Sequence, residues 1–304
     1  MRPPVALLGP TASGKSDVAM AAATAVPHTE IVAIDAMQVY RGMDIGTAKP
    51  TASDRATVVH HCLDLADPNE EMAVSEFRRA YDAAIAEIAA RPPSRALLVA
   101  GTGLYVTAAV DRLELPGVWP DVRATLEKES DTAALYDRLK SLDPAAAGKI
   151  DRANRRRIVR ALEVSIGSGQ PFSSFGPGVD AFPPSDIVQY GIRWPREALA
   201  ERIERRVNTM MAAGLLDEVA RLAAHGLSPT ARQALGYKEL LDHLDGLVSL
   251  DEAVGAIVTR TRRFATRQER WFRRDPRVRW IDIDPSAAEP LAEVRASVIA
   301  ALTV

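Results

Sequence analysis

The sequence predicts an α/β protein with a P-loop-containing parallel-sheet core and a mostly helical insertion domain. Three observations lead there. First, the apolar run Val5-Ala6-Leu7-Leu8 feeds directly into Gly9, Gly14-Lys15-Ser16 follows, and an alanine-rich helical pattern runs from Val18 to Ala25, which reads as strand, glycine loop, helix. Second, short apolar runs at 30–35, 95–100 and 187–192 have the continuous character of strands buried on both faces, and helical patterns separate them. Third, from about Leu113 to Ser185 the pattern turns helical, with joints at Pro116, Pro120, Pro144, Pro171, Pro177, Pro183 and Pro184. The expected organisation is therefore a core in two parts, 1–112 and 186–304, around an insertion at 113–185.

Size and composition set the class. At 304 residues, with 47% hydrophobic and 26% charged residues, the chain has the make-up of a soluble globular protein. No apolar stretch approaches the length of a membrane span, and Met1-Arg2-Pro3-Pro4 runs straight into the first strand without a signal peptide, so a cytoplasmic protein with no membrane partner is expected. Cys62 is the only cysteine; it cannot form an internal disulfide or build a zinc site alone, and reads as a small buried residue. A monomer is expected.

The glycine loop carries the most restrictive chemistry. The loop Gly9, Pro10, Thr11, Ala12, Ser13 and Gly14 brings backbone N–H groups, all but that of Pro10, which has none, and a helix N-terminus to one small volume; Lys15 adds a charge and the Ser16 hydroxyl can reach a metal. Such a cradle suits a di- or triphosphate. Kinases, NTPases and diphosphate-releasing transferases all need one, so the loop alone does not choose between them.

Asp35 closes the second apolar run at the strand edge where ligands of doubly wound sheets sit, which makes it a candidate for chemistry as well as for a cap. The loop Ala36 to Pro50, irregular and broken by Gly42, Gly46 and Pro50, reads as a substrate loop. His60-His61 lack a third ligand at metal spacing and read as structural or phosphate-side hydrogen-bonding residues. Ser75 to Ala90 is an amphipathic helix ended by Pro92-Pro93. The third strand ends in Ala100-Gly101-Thr102-Gly103, where a nucleotide hydrolase would carry a magnesium-binding Asp. A hydrolase is disfavoured, and Thr102 offers a neutral hydroxyl opposite the phosphate loop.

Net charge is only −2, but basic residues cluster. Arg152, Arg155, Arg156, Arg157 and Arg160 fall between Asp151 and Glu163. A long helix from about Glu197 to Ala224 carries Arg202, Arg205 and Arg206, and Gln233 to Glu239 turns into another helix. In a helix from about Leu250 to Arg274, Arg260, Arg263, Arg267, Arg270 and Arg274 recur at spacings of three and four and share one face, with Glu269 unable to neutralise them. An external polyanion accounts for such a stripe; a solvated face is the alternative. Val278 to Ile283 reads as an edge strand before a terminal helix.

The motifs resemble those of the tRNA dimethylallyltransferase (tRNA isopentenyltransferase) family: Gly9 to Ser16, Gln38 to Pro50, His60-His61 with Asp64, Gly101 to Tyr105, Arg160 to Val164, Leu235 to Glu239 and Arg262 to Gln268. They cover most of the chain in order. Ala36 stands where the family usually has Ser, and Ala100 where it usually has Gly. The resemblance implies transfer of a dimethylallyl group from dimethylallyl diphosphate to the exocyclic amine of the adenosine 3′-adjacent to a tRNA anticodon. It implies Asp35 and Thr102 as catalytic residues, and a diphosphate on Gly9 to Ser16 with Arg205 and with Mg2+ at Ser16. It further implies an anticodon stem-loop held by Asp35, Ala36, Met37, Gln38, Thr102, Arg123, Asn154, Arg155, Arg156, Arg157, Ile158, Arg232, Gln233, Gly236 and Tyr237. The alternatives are an adenylate isopentenyltransferase acting on free nucleotide, a nucleotide or metabolite kinase, and a non-catalytic RNA-binding regulator.

Overall fold

The computed structural model describes residues 2–303 apart from Arg112, Glu114 and Pro177, the last of these read above as a joint. Six strands form one parallel sheet: β1 (Val5–Leu8), β2 (Thr29–Ile34), β3 (His60–His61), β4 (Arg95–Ala100), β5 (Val188–Arg193) and β6 (Val278–Asp282), in the order β3-β2-β4-β1-β5-β6. Parallel neighbours require crossovers, and helices supply them. β1 lies inside the sheet with every residue buried, and its period of two divides the run between the faces. Ala6 and Leu8 join a core with Ile34, Phe77, Tyr81 and Leu98, while Val5 and Leu7 join another with Val18, Ala22, Leu97 and Val298. The helices Val74–Ala89 and Leu250–Phe272 contribute to the first core, and Lys15–Ala25 and Ala292–Thr303 to the second. β6 is an edge strand.

The chain divides into two compact units, one of residues 1–111 with 182–304 and one of residues 112–181. The smaller unit packs Pro120–Glu127, Thr132–Leu142, Pro144–Lys149 and Arg155–Ser168 around Leu126, Leu135, Leu139, Ile158 and Leu162. No strand occurs among its described residues. No described helix of the chain is long and apolar enough to cross a membrane.

The helix expected from Glu197 to Ala224 is two helices, Arg196–Ala212 and Leu215–His225. Gly214 separates them at φ 96°, a left-handed conformation that cannot continue a right-handed helix. The fold also contains Gly103–Val110, a short helix that the glycine turn after β4 opens directly. A methyl group at Gly103 would overlap the Trp271 indole, so these helices meet through a residue with no side chain. Gly103→Ala is therefore expected to destabilise the fold by about 1–3 kcal/mol, the usual cost of overpacking, measured by urea unfolding.

Candidate active site

Loops following β1, β2 and β4 converge at the carboxyl edge of the sheet. The first is the phosphate cradle. Gly14, at φ 89°, turns the chain into the helix Lys15–Ala25. The carbonyls of this loop are held from outside: Trp194 Nε1 donates to Ser13 O (3.0 Å) and Arg202 Nε to Ala12 O (2.8 Å), with the Arg202 guanidinium 4.4 Å above the Trp194 ring. Lys15 Nζ folds back on Gly9 O (2.8 Å) and Pro10 O (2.7 Å). Burial, reinforced by the Arg206 charge and opposed by Asp35, brings the Lys15 pKa down to about 7. A bound polyphosphate would favour its charged form.

Asp35 follows β2. Its Oδ1 accepts hydrogen bonds from Met37 N (2.8 Å) and Gln38 N (3.3 Å), and Thr102 Oγ1 accepts one from Ala36 N (3.0 Å). Burial raises the Asp35 pKa despite those bonds and the charges of Lys15 and Arg206. Gly101 lies against it: a Cβ there would stand 3.2 Å from Asp35 Oδ2 and 3.4 Å from Gln268 Nε2. Ala100, by contrast, is fully buried in the core, so its methyl group replaces a glycine away from the cleft.

Buried polar residues hold the surrounding backbone. The Glu218 carboxylate accepts from the N–H groups of Asp44 (3.0 Å), Ile45 (2.8 Å) and Gly46 (3.1 Å) and from Tyr237 Oη (2.6 Å). Gln38 Nε2 donates to Thr47 O and Ala48 O, and Lys49 Nζ reaches Tyr40 O, Asp44 and Asp64. The Lys49 and Arg55 charges hold the Asp64 pKa below the usual carboxylate range despite partial burial. Gln268 binds Thr11 N through Oε1 (2.9 Å) and Gly101 O through Nε2 (2.6 Å). His61 pairs with Glu30, and His60 Nδ1 lies 2.8 Å from Val58 O. Both histidines thus have partners within the fold, with His60 also on the cleft wall, and no metal-binding group of three His, Cys, Asp or Glu occurs among the described residues. Cys62 is buried, which pushes its thiol pKa up to about 12.

Together these elements line a cleft of about 1690 Å³. Of the residues singled out in the sequence, the structure brings Thr11 to Ser16, Asp35 to Gln38, Thr102, Arg205, Gln233 and Gly236 to its wall, with Gly9 and Pro10 underneath. Arg205 is mostly exposed and lies 3.7 Å from Glu201. Arg206, one residue on, is the arginine in electrostatic contact with both Lys15 and Asp35; helical phase separates the neighbours, which sequence alone does not resolve.

Several interface expectations change. Tyr237 is fully buried, with its hydroxyl spent on Glu218, and Ile158 is fully buried in the core of the smaller unit. Neither side chain presents itself to a partner. Asn154 caps its helix by accepting from Arg157 N (3.2 Å), and Arg155 donates to Ser130 O, Glu127 O and Glu129 O. Arg123 pairs with Glu127 (2.9 Å) and approaches buried Glu163 (3.7 Å); Arg232 pairs with Asp245 (3.3 Å). Arg156 and Arg157 are exposed and enter no ion pair among the described residues. The stripe on Leu250–Phe272 is partly neutralised from within the fold. Arg260 pairs with buried Glu239, and Arg274 stacks on Trp271 at 4.0 Å. Glu239 is distant in sequence, which is why counting acids near the stripe overstated its free charge; stacking on Trp271 does not remove the Arg274 charge.

The fold and cleft define a P-loop α/β class in which a glycine loop lies beside a partly buried carboxylate, without the magnesium carboxylate of nucleotide hydrolases at the tip of β4. Comparison with known proteins narrows this. The IPP transferase family model matches residues 38–275. A tRNA dimethylallyltransferase from Kineococcus radiotolerans is 49% identical over 299 residues, covering 95% of this chain and 93% of the relative. The solved full-length tRNA isopentenylpyrophosphate transferase from Bacillus halodurans is 36% identical, with a TM-score of 0.71 covering 100% of this chain and 97% of that one. A eukaryotic dimethylallyltransferase solved acting on tRNA is 24% identical and shares the fold, with a TM-score of 0.81 over 97% of this chain and 78% of that one. The chain belongs to the IPP transferase family.

Two outcomes are expected from the charges at the cleft. Arg206→Ala should weaken binding of inorganic diphosphate by about 10–100-fold, as for loss of a charged hydrogen bond, and Arg205→Ala by much less, read by titration calorimetry. Asp35→Asn keeps an acceptor for Met37 and Gln38 but removes a partly buried charge. Because folding raises the Asp35 pKa, ionisation costs stability above its unfolded-state pKa, so at neutral pH the variant should melt at the parent temperature or above it.

Proposed function

We propose that the cleft transfers a dimethylallyl group from dimethylallyl diphosphate to the exocyclic amine of the adenosine 3′-adjacent to the tRNA anticodon, releasing diphosphate. The observation that carries this reading is Asp35, a partly buried carboxylate on the cleft wall beside a phosphate cradle at a strand edge with no magnesium carboxylate at the tip of β4. The adenine amine attacks the allylic carbon; the nitrogen–carbon bond forms as the carbon–oxygen bond to diphosphate breaks, and the amine proton passes to Asp35. The amine lone pair is delocalised into the ring, so the carboxylate helps most when nitrogen gains positive charge in the transition state. The raised Asp35 pKa strengthens it as a proton acceptor. Thr102 Oγ1 already accepts from Ala36 N, which leaves its proton for a ring-nitrogen acceptor on the base. Lys15 and Arg206 offset charge gathering on the departing diphosphate, with Arg205 at the cleft mouth.

Mg2+ fits this site through Ser16, a hydroxyl in the first turn of Lys15–Ala25 on the cleft wall. With the Ser16 hydroxyl as a protein ligand, the diphosphate and water would complete the coordination, a donor set that suits magnesium. When bound, the ion would neutralise the leaving group.

The target base must leave its stack to enter the cleft. Arg156 and Arg157 supply free charge for the stem-loop backbone, while Arg123, Asn154 and Arg155 shape the unit that presents them. Gln233 and Gly236 line the cleft beside Met37 and Gln38, where splayed bases are held.

Incubating the protein with labelled dimethylallyl diphosphate and an unmodified anticodon stem-loop should label the RNA; labelling only free AMP, or consuming ATP instead, would replace this reading with one of the alternatives. Asp35→Ala should retain stem-loop binding and lower the single-turnover rate by about 10²–10⁴-fold. The parent rate should fall in acid through the raised Asp35 pKa, above the ordinary aspartate range. Replacing both Arg156 and Arg157 with alanine should weaken stem-loop binding and reduce the slope of log K against log salt by about 1–2. An unchanged slope would remove both from the interface.

A further inference from the structure

Gln268 lies on the helix Leu250–Phe272 and is buried to 6% exposure, yet its amide touches both halves of the cleft. Oε1 accepts the Thr11 N–H of the phosphate cradle, and Nε2 donates to the Gly101 carbonyl at the tip of β4. The contact continues through the backbone. The Gly101 and Thr102 N–H groups both donate to Ile34 O, the residue preceding Asp35, at 3.2 and 3.4 Å. We propose that Gln268 is a positioning residue that sets the separation between the bound diphosphate and Asp35, by gripping the cradle with one end of its amide and the β4 tip with the other.

The side chain suits that task. A carboxamide offers an acceptor and a donor at its two ends, which no apolar or singly charged side chain of this length supplies. Its mount is firm: Thr261, Ala265 and Phe272 on the same helix are buried, and Trp271 packs onto Gly103, two residues beyond Gly101. Gly101 lies between the amide and the carboxylate, where a Cβ would stand 3.2 Å from Asp35 Oδ2 and 3.4 Å from Gln268 Nε2, so a shift of the amide is felt at the wall of Asp35. Because the cradle holds the donor and Asp35 receives the proton of the acceptor, their separation governs whether the reacting atoms come within attack distance, about 3–3.5 Å.

This role rests on the transfer reaction proposed above, and a double-mutant cycle tests it. Gln268→Met keeps the length and removes both hydrogen bonds; Gln268→Asn keeps the amide but is a methylene too short to span both partners. Each is made in the parent and in Asp35→Asn, and single-turnover transfer is measured together with dissociation constants for dimethylallyl diphosphate and stem-loop and with thermal melting. In the parent background the rate should fall by about 10²-fold with both dissociation constants changed by less than about threefold, the signature of misplacement rather than lost binding. In Asp35→Asn the same replacement should cost only about threefold, because the partner whose position it sets is gone. An equal loss in both backgrounds, a parental rate, or a rate loss matched by weaker diphosphate binding would overturn the proposal. Should Gln268→Met fail to fold, Gln268→Asn decides by the same criteria. A parent protein that transfers nothing refutes the reaction itself, and the positioning role falls with it.

Discussion

Holding a partly buried carboxylate, Asp35, beside a phosphate cradle is the constraint around which this cleft is built. An isolated buried carboxylate would take up a proton, so Asp35 needs compensation on every side. It receives two backbone N–H bonds and lies in the field of Lys15 and Arg206. The compensation is incomplete, since burial still prevails and the pKa remains raised. That residue of electrostatic discomfort is what gives the group its appetite for a proton. Burial, reinforced by the Arg206 charge, lowers the pKa of Lys15, whose ammonium donates to the carbonyls of its own loop. An arriving diphosphate would relieve Lys15 and Arg206 of their mutual repulsion.

Rigid support for that arrangement comes from single buried polar residues rather than from the loops themselves. Glu218 orders Asp44 to Gly46 through three backbone N–H groups, and Tyr237 occupies its remaining capacity. Gly46 must lack a side chain, because a Cβ there would enter the Tyr237 ring. An irregular loop can thus hold one conformation at the edge of the sheet without regular secondary structure of its own. Each anchor is buried and saturated, and removing one partner would leave several polar groups unpaired in the interior.

Arginines illustrate the division between shape and recognition. In the smaller unit, Arg155 spends its donors on carbonyls, and Arg160 pairs with Glu163 and binds the carbonyls of Pro116 and Gly117. On Leu250–Phe272, Arg260 is committed to Glu239, and Arg262, off the stripe, to Glu204. Basic clusters that look alike in one dimension therefore separate into those that build the protein and those, such as Arg156 and Arg157, whose charge remains available to a polyanion.

Much of this was present in the chain itself. Local patterns are decisive where the physics is local: Val5 to Ser16 dictates strand, glycine turn and helix; the apolar runs dictate buried parallel strands; and a carboxylate follows β2 but not β4. The break at Gly214 is also written in the sequence, beneath a persistent helical period. What only the tertiary structure decided are the pairings across long separations. Thr11 with Gln268, Gly46 with Glu218 and Tyr237, and Arg206 rather than Arg205 facing Asp35 depend on where helices land and which face they turn inward. A hydrogen bond or a buried charge is set by distances of a few ångströms in space, and separation along the chain carries no such distance until the sheet has brought its loop ends together.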